Sequence, residues 1–191
     1  MPSTDTQSKL LDAAQSLIQN RGYNAFSYKD LAEEIGIRTA SIHYHYPTKP
    51  DLGIGLMKRY IAALECSLSE ISQRKQSNRA KLSAFIDMYS TTESYGAICL
   101  CGSLASDQAS LPESLQEVVA EYLLKTERWV TKVIAKGIKD GEFKYSGRPV
   151  DVARSLVSGL QGGLILSRAS ATSSPMISTV QRVLFKTLEA A

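Results

Sequence analysis

Apolar side chains return along this chain every three or four residues, the period of a helix with one buried face, and no stretch alternates convincingly as a strand would. Over residues 8–21, Leu10, Ala14, Leu17 and Ile18 line one face and predict a first helix, stopped by Asn20-Arg21-Gly22. Ser27-Tyr28-Lys29-Asp30 predicts the start of a second, with the Ser27 hydroxyl capping free amides and Asp30 against the positive end of the helix dipole. Leu31, Ala32 and Ile35 turn inward, Glu33 and Glu34 outward, and Gly36 breaks the helix. A third short helix, from 39 to about 46, places Ile42 and Tyr46 on one face, and Pro47 ends it.

A fourth helix is predicted from Lys49 or Pro50 to the middle 60s, with Leu52, Leu56, Tyr60, Ala63 and Leu64 as its inner stripe. Its Gly53 and Gly55 each lower intrinsic stability by up to about 1 kcal/mol relative to alanine, which packing must offset. The polar run 72–79 reads as a loop, as does the serine-rich stretch 167–174. Further helices are predicted over 80–92, 115–137, 149–167 and 176–190, with 104–108 left open. The last is expected to carry Met176, Val180, Val183, Leu184 and Thr187 on one stripe. The fold class is all-α: a three-helix head, residues 1–48, and a helical body, residues 49–191.

Two short helices joined by a tight glycine-containing turn, behind a longer supporting helix, make a helix-turn-helix whose second short helix enters the DNA major groove. On or beside the face opposite Ile42 and Tyr46, this chain offers Arg38, Thr39, Ser41, His43 and Tyr44, which supply donors, hydroxyls and aromatic rims. The same stretch carries Gly22-Tyr23, Phe26-Ser27 running into Asp30-Leu31-Ala32, then Ile35-Gly36-Ile37. Ser41-Ile42-His43-Tyr44-His45-Tyr46 follows, with Lys49 and Leu52. In this pattern residues 8–60 resemble the DNA-binding head of the TetR family of bacterial repressors.

The resemblance implies phosphate contacts from Ser27, Tyr28, Tyr44, His45 and Lys49, and base contacts from Lys29, Arg38, Thr39, Ala40 and His43. Lys29 and Arg38 can read guanine edges, and Ala40 can touch a thymine methyl. His43 stands where the family commonly has tyrosine, and Pro50 replaces a more usual acidic residue, so no operator sequence carries over. Taken singly these residues have plainer readings: Ile42 and Tyr46 are core, Tyr44 packs at a surface, Lys49 is a solvated helix start. The combined spacing is what points to DNA. His43 and His45, two apart, do not share a face as a metal pair at i, i+4 would, and no metal or cofactor is expected.

The resemblance further implies a ligand-binding body and a homodimer built through the last two helices, so that two heads read a palindromic operator. Val150, Ala153, Leu156, Val157, Leu160 and Leu164 give the broad apolar face this requires, which an internal core helix would equally show. Gly159, Gly162 and Gly163 allow close helix approach. The segment 95–104 resembles one that carries a reactive thiol in an electrophile-responsive subgroup, with Cys99 the nearer match and Cys101 beside it. A sensor thiol needs access and thiolate character, whereas neighbouring Ile98, Leu100 and Leu104 equally fit burial, so both readings stay open. For a small-molecule effector, candidate liners are Phe85, Tyr89, Tyr122 and Trp129, each of which also suits plain core.

Bulk composition changes this picture little. The net charge is +3, and the first 60 residues hold seven Lys/Arg against six Asp/Glu, so charge alone does not announce nucleic acid. Three cysteines, Cys66, Cys99 and Cys101, are too few and irregular for a secreted disulfide framework. No signal peptide or membrane span is evident, and the expected location is the cytoplasm. An enzyme is disfavoured, because no phosphate loop, His-Glu-X-X-His or nucleophile elbow occurs and both histidines fall in the third helix. The expectation is a DNA-binding repressor released by a small molecule or by cysteine modification. The alternatives are a redox-insensitive ligand-responsive regulator and a helical interaction module without operator binding.

Overall fold

The computed structural model describes residues 3–170 and 175–189, and its regular elements are all helical. In chain order they are α1 (Ser3–Arg21), α2 (Tyr28–Ile35), α3 (Thr39–His45), α4 (Lys49–Gln73) and α5 (Asn78–Ser94). Then come α6 (Leu100–Ser106), a 3-10 turn (Gln108–Ser110), α7 (Glu113–Lys139), α8 (Pro149–Ala169) and α9 (Met176–Glu189). The chain forms two compact units, residues 1–63 with 100–122 and residues 64–99 with 123–191.

The first unit buries Leu10, Ala14, Leu17 and Ile18 of α1 with Leu31 of α2, Ile42 of α3 and Leu52 and Leu56 of α4, the stripes the periodicity predicts. Left-handed glycines end two helices: Gly22 (φ 89°) closes α1 and Gly36 (φ 71°) caps α2. The two glycines of α4 answer to packing. A Cβ on Gly55 would lie 2.8 Å from the Tyr46 ring and one on Gly53 2.9 Å from Leu115, so bare backbone admits both side chains. Residues 100–122 also belong here. Ser103 of α6 donates to the Ile18 carbonyl (2.9 Å), Asp107 accepts from the Tyr23 amide (2.9 Å), and Asn24 donates to Ser110 (2.7 Å).

The second unit packs the end of α4, α5, the later part of α7, α8 and α9 around Leu68, Leu82, Phe85, Ile86, Ile134, Leu160, Leu164, Ile177 and Leu188. Buried Asn78, at the start of α5, donates to Glu142 (2.8 Å) and Asp140 (3.1 Å) of the turn after α7. Glu93 of α5 accepts from the Met176 amide (2.8 Å), placing a carboxylate on the free amides that open α9. A Cβ on Gly159 or Gly163 would meet Val180 (3.2 Å) or Ile177 (3.0 Å) of α9, whereas Gly162 faces open space. The close approach expected of these three glycines is made by two.

Several boundaries and faces differ from expectation. Helix α1 begins at Ser3, and α4 runs on to Gln73, so the loop expected over 72–79 shrinks to 74–77. The open stretch 104–108 falls across α6 and the 3-10 turn. Helix α8 continues to Ala169, so the serine-rich run begins as helix; its residues 171–174, and position 190 of the last helix, lie outside the described residues. Ala63 of the expected α4 stripe is exposed, while Met57, Ile61 and Leu68 are buried. On α9 the buried face is Ile177, Leu184, Phe185 and Leu188; Val183 is 59% exposed and Thr187 is exposed, so the expected stripe is turned partly outward.

Candidate nucleic-acid interface

Helix α2 starts on a reciprocal cap. Ser27 Oγ accepts from the Asp30 amide (3.3 Å), and Asp30 Oδ2 accepts from the Ser27 amide (2.7 Å) and hydroxyl (2.6 Å). The Ser27 bonds hold the Asp30 carboxyl below the usual carboxylate range. Helix α4 starts the same way, with Thr48 and Asp51 in these roles (amide to Oδ2 2.9 Å, hydroxyl to Oδ2 2.6 Å). The second box was legible as Thr48-X-X-Asp51 but hidden inside what reads as a proline connector. Together the boxes fix both ends of the frame in which α3 is held.

Helix α3 is anchored by fully buried Ile42 and, at its C-cap, by buried Tyr46. Burial of two such side chains is worth roughly 1.5–3 kcal/mol each, enough to seat a seven-residue helix that is marginal alone. Its other side leaves Arg38, Thr39, Ala40, Ser41, His43 and Tyr44 exposed, Tyr44 at 83%. His45 is half-buried, edge-on to the Tyr44 ring at 5.2 Å between centroids. Lys29 projects from α2, within 4.0 Å of Glu33, a solvated pair that costs little to break.

Three of the residues expected at DNA are fastened into the fold. The Tyr28 hydroxyl lies on the carbonyls of Tyr46 (2.9 Å) and Thr48 (2.6 Å), beyond α3. Burial, then the Asp51 carboxylate, pushes its phenol well above the ordinary tyrosine value, so it remains a donor. Lys49 Nζ donates to the Phe26 carbonyl and sits over the Phe26 (4.2 Å) and Tyr23 (4.7 Å) rings. Burial pulls its ammonium below the ordinary lysine value, against the opposing pull of Asp107 and Asp30. Ser27 spends its hydroxyl on the α2 cap.

His43 combines both conditions. Its Nδ1 lies 3.0 Å from the Pro47 carbonyl, and its ring meets the Tyr28 ring at 4.8 Å. A carbonyl only accepts, so Nδ1 carries the proton and Nε2 of the neutral ring is left as an acceptor. On one short surface α3 therefore presents a guanidinium, two hydroxyls, a methyl, an oriented imidazole and a phenol, the groups that read base edges and phosphates.

The residues expected to sense an effector are dispersed. Cys99 is 3% exposed, and Cys101 is fully buried with its thiol 3.8 Å from the Val119 carbonyl; Cys66 of α4 is exposed. Tyr122 is buried in the first unit, stacked on Tyr60 at 5.2 Å. In the second unit, Tyr89, Phe85 and Trp129 form a chain of rings spaced 5.4 and 5.5 Å, and Trp129 lines a 960 Å³ cleft between α4 and α7. Among the described residues no helix is long and apolar enough to cross a membrane, and no three His, Cys, Asp or Glu side chains group as metal ligands.

Comparison with known proteins adds an independent line. Residues 10–53 match the model of bacterial regulatory proteins of the tetR family, and residues 79–183 match the tetracyclin repressor-like C-terminal domain. The HTH-type transcriptional repressor KstR2 of Rhodococcus jostii (strain RHA1) is 30% identical over 158 residues, covering 75% of this chain and 73% of that protein. A TetR transcriptional regulator from Legionella pneumophila is 34% identical with a TM-score of 0.86, over 95% of this chain and 96% of that one. A TetR-family regulator from Agrobacterium tumefaciens is 28% identical with a TM-score of 0.92, over 98% and 99% of the two chains.

Proposed function

Because the chain belongs to the tetR family of bacterial regulatory proteins, we propose that it is a homodimeric repressor whose two heads grip a palindromic operator and release it when a small molecule binds. The observation that carries this reading is the face of α3: Arg38, Thr39, Ala40, Ser41, His43 and Tyr44 are all exposed on or beside a helix whose opposite side is seated by buried Ile42 and, at its C-cap, Tyr46. A helical interaction module without operator binding would account for an exposed tyrosine, but has no need of a guanidinium, two hydroxyls and an imidazole gathered beside it on one short helix. Phosphate contacts then fall to Tyr44 and His45, and base contacts to Lys29, Arg38, Thr39, Ala40, Ser41 and His43. Ser27, Tyr28 and Lys49 hold the frame.

Pairing through α8 and α9 is supported by what these helices leave uncovered. Leu166 is 57% and Val183 59% exposed, and Ile165 is also exposed, although apolar burial favours covering such side chains. A small-molecule trigger is favoured over thiol modification because Cys99 and Cys101 are buried, and a thiol in apolar surroundings is a poor nucleophile.

Selection of bound fragments from genomic DNA, followed by gel shift of the parent and Tyr44→Ala on the recovered sequence, tests the reading. The expected result is one inverted repeat, bound by the parent as a dimer and at least about tenfold more weakly by the variant. Recovery of no sequence above background would sink it.

A further inference from the structure

The cleft in the second unit is built from two helix faces. Leu68 and Ser72 of α4 face Arg128, Trp129, Lys132 and Ala135 of α7, and Val150 of α8 also lines the space. The indole Nε1–H of Trp129 donates to Ser72 Oγ (2.9 Å), and Phe85 backs the ring at 5.5 Å, so the aromatic wall is held in place. A volume of 960 Å³ is at the upper end of the range for small-molecule sites.

Its charges do not cancel. Of the two carboxylates in the lining, Glu65 is taken by Lys125, and Glu127 by a two-pronged contact from Arg154 (2.9 and 3.3 Å). Arg128 and Lys132, one turn apart on α7, form no ion pair or hydrogen bond among the described residues. Between them in sequence, Thr131 Oγ1 is buried with no hydrogen-bond partner, a polar atom left unsatisfied at the same wall. An apolar trough with a fixed indole, two uncompensated cations and an unused hydroxyl complements a molecule with a greasy body and one anionic end.

We propose that this cleft binds a small amphiphilic anion, with its apolar body along Leu68, Trp129, Ala135 and Val150 and its carboxylate, sulfonate or phosphate head between Arg128 and Lys132. The inference rests on the reading of the chain as ligand-responsive, but the binding measurement that tests it involves no DNA, and operator release is followed separately. Trp129 is the single tryptophan of the chain, so its emission reports on the cleft directly.

The full-length protein is titrated, below micelle-forming concentrations, with dodecanoate, dodecyl phosphate, dodecanol and dodecyltrimethylammonium, following Trp129 emission and, in parallel, heat. The expected result is saturable binding of one or both anions at least about tenfold tighter than dodecanol, with the cation weakest. In Arg128→Gln with Lys132→Gln, two exposed positions, the anions fall to the dodecanol level while dodecanol binding and thermal stability are unchanged. Equal affinity for anion and alcohol, an unaffected double variant, or no saturable signal from any probe would overturn the proposal. A charge-dependent anion signal without operator release would uphold this site and count against the effector reading above.

Discussion

The α2–α3 surface of the first unit and the α4–α7 cleft of the second both hold cations and aromatic rings, but they hold them differently. In the head, groups within a few residues of one another decide much of the geometry, with two capping boxes and an imidazole on Pro47 four residues away, while the Tyr28 hydroxyl reaches the Tyr46 and Thr48 carbonyls 18 and 20 positions on. In the cleft, the wall needs residues about sixty positions apart, Trp129 against Ser72 and Lys125 against Glu65. The lesson is that a cation's role follows from what already satisfies it. Lys49 matches a phosphate-contacting position yet is spent on Phe26, whereas Arg128 and Lys132 match no motif and engage no partner among the described residues.

The largest expected effect breaks the comparison at the level of assembly. Leu166→Asp with Val183→Asp puts charges on the uncovered α8 and α9 face, and sedimentation is expected to show a monomer where the parent is a dimer, with operator affinity down by more than about a hundredfold. A persistent dimer would mean that another face makes the pair.

Next come paired aromatic truncations, one in each unit. Phe85→Ala empties a fully buried site and should cost about 3–5 kcal/mol in urea unfolding. Tyr44→Ala should cost under about 0.5 kcal/mol while weakening operator binding. Reversal of that order would undo the assignment of one ring to core and the other to contact.

Lys49→Met sharpens the distinction between fastener and contact. Loss of the Phe26 bond and the ring contacts should lower stability by about 1–2 kcal/mol. The dependence of operator binding on salt should stay as steep as in the parent; a slope shallower by about one would show that this lysine reaches a phosphate.

The smallest effect concerns the cap. Ser27→Ala should cost about 1 kcal/mol at neutral pH. Because the folded Asp30 carboxyl is held below its unfolded value, its contribution is present above the unfolded pKa and is lost as pH falls through the folded one. The gap between parent and variant should therefore narrow on acidification, and a gap constant from neutral to strongly acidic pH would remove the Ser27–Asp30 bond as its cause.

Much of the head was legible because short-range chemistry specifies it. The α1 stripe, the Ser27 cap, the glycine stops and the exposure of Arg38, Thr39, Ser41, His43 and Tyr44 all follow from periodicity and local hydrogen bonding. The same reasoning could not tell that α9 buries Ile177 and Phe185 and leaves Val183 outside. Periodicity locates an apolar stripe, but which edge of it turns inward depends on where α5 and α8 lie. Nor could it sort Phe85 and Tyr89 of α5 and Trp129 of α7 into core and cleft wall.

From the amino-acid order alone came the all-helical class, the three-helix head with its turn, and the side chains α3 offers outward, because each depends on forces acting over one or two helical turns. Tertiary structure alone decided the close packing at Gly53 and Gly55, the joining of residues 100–122 to the head, the burial of Cys99 and Cys101, and the lack of a partner for Arg128 and Lys132 among the described residues. Each of these turns on whether a distant residue arrives to fill a space or meet a charge, and spacing along a chain carries no record of that arrival.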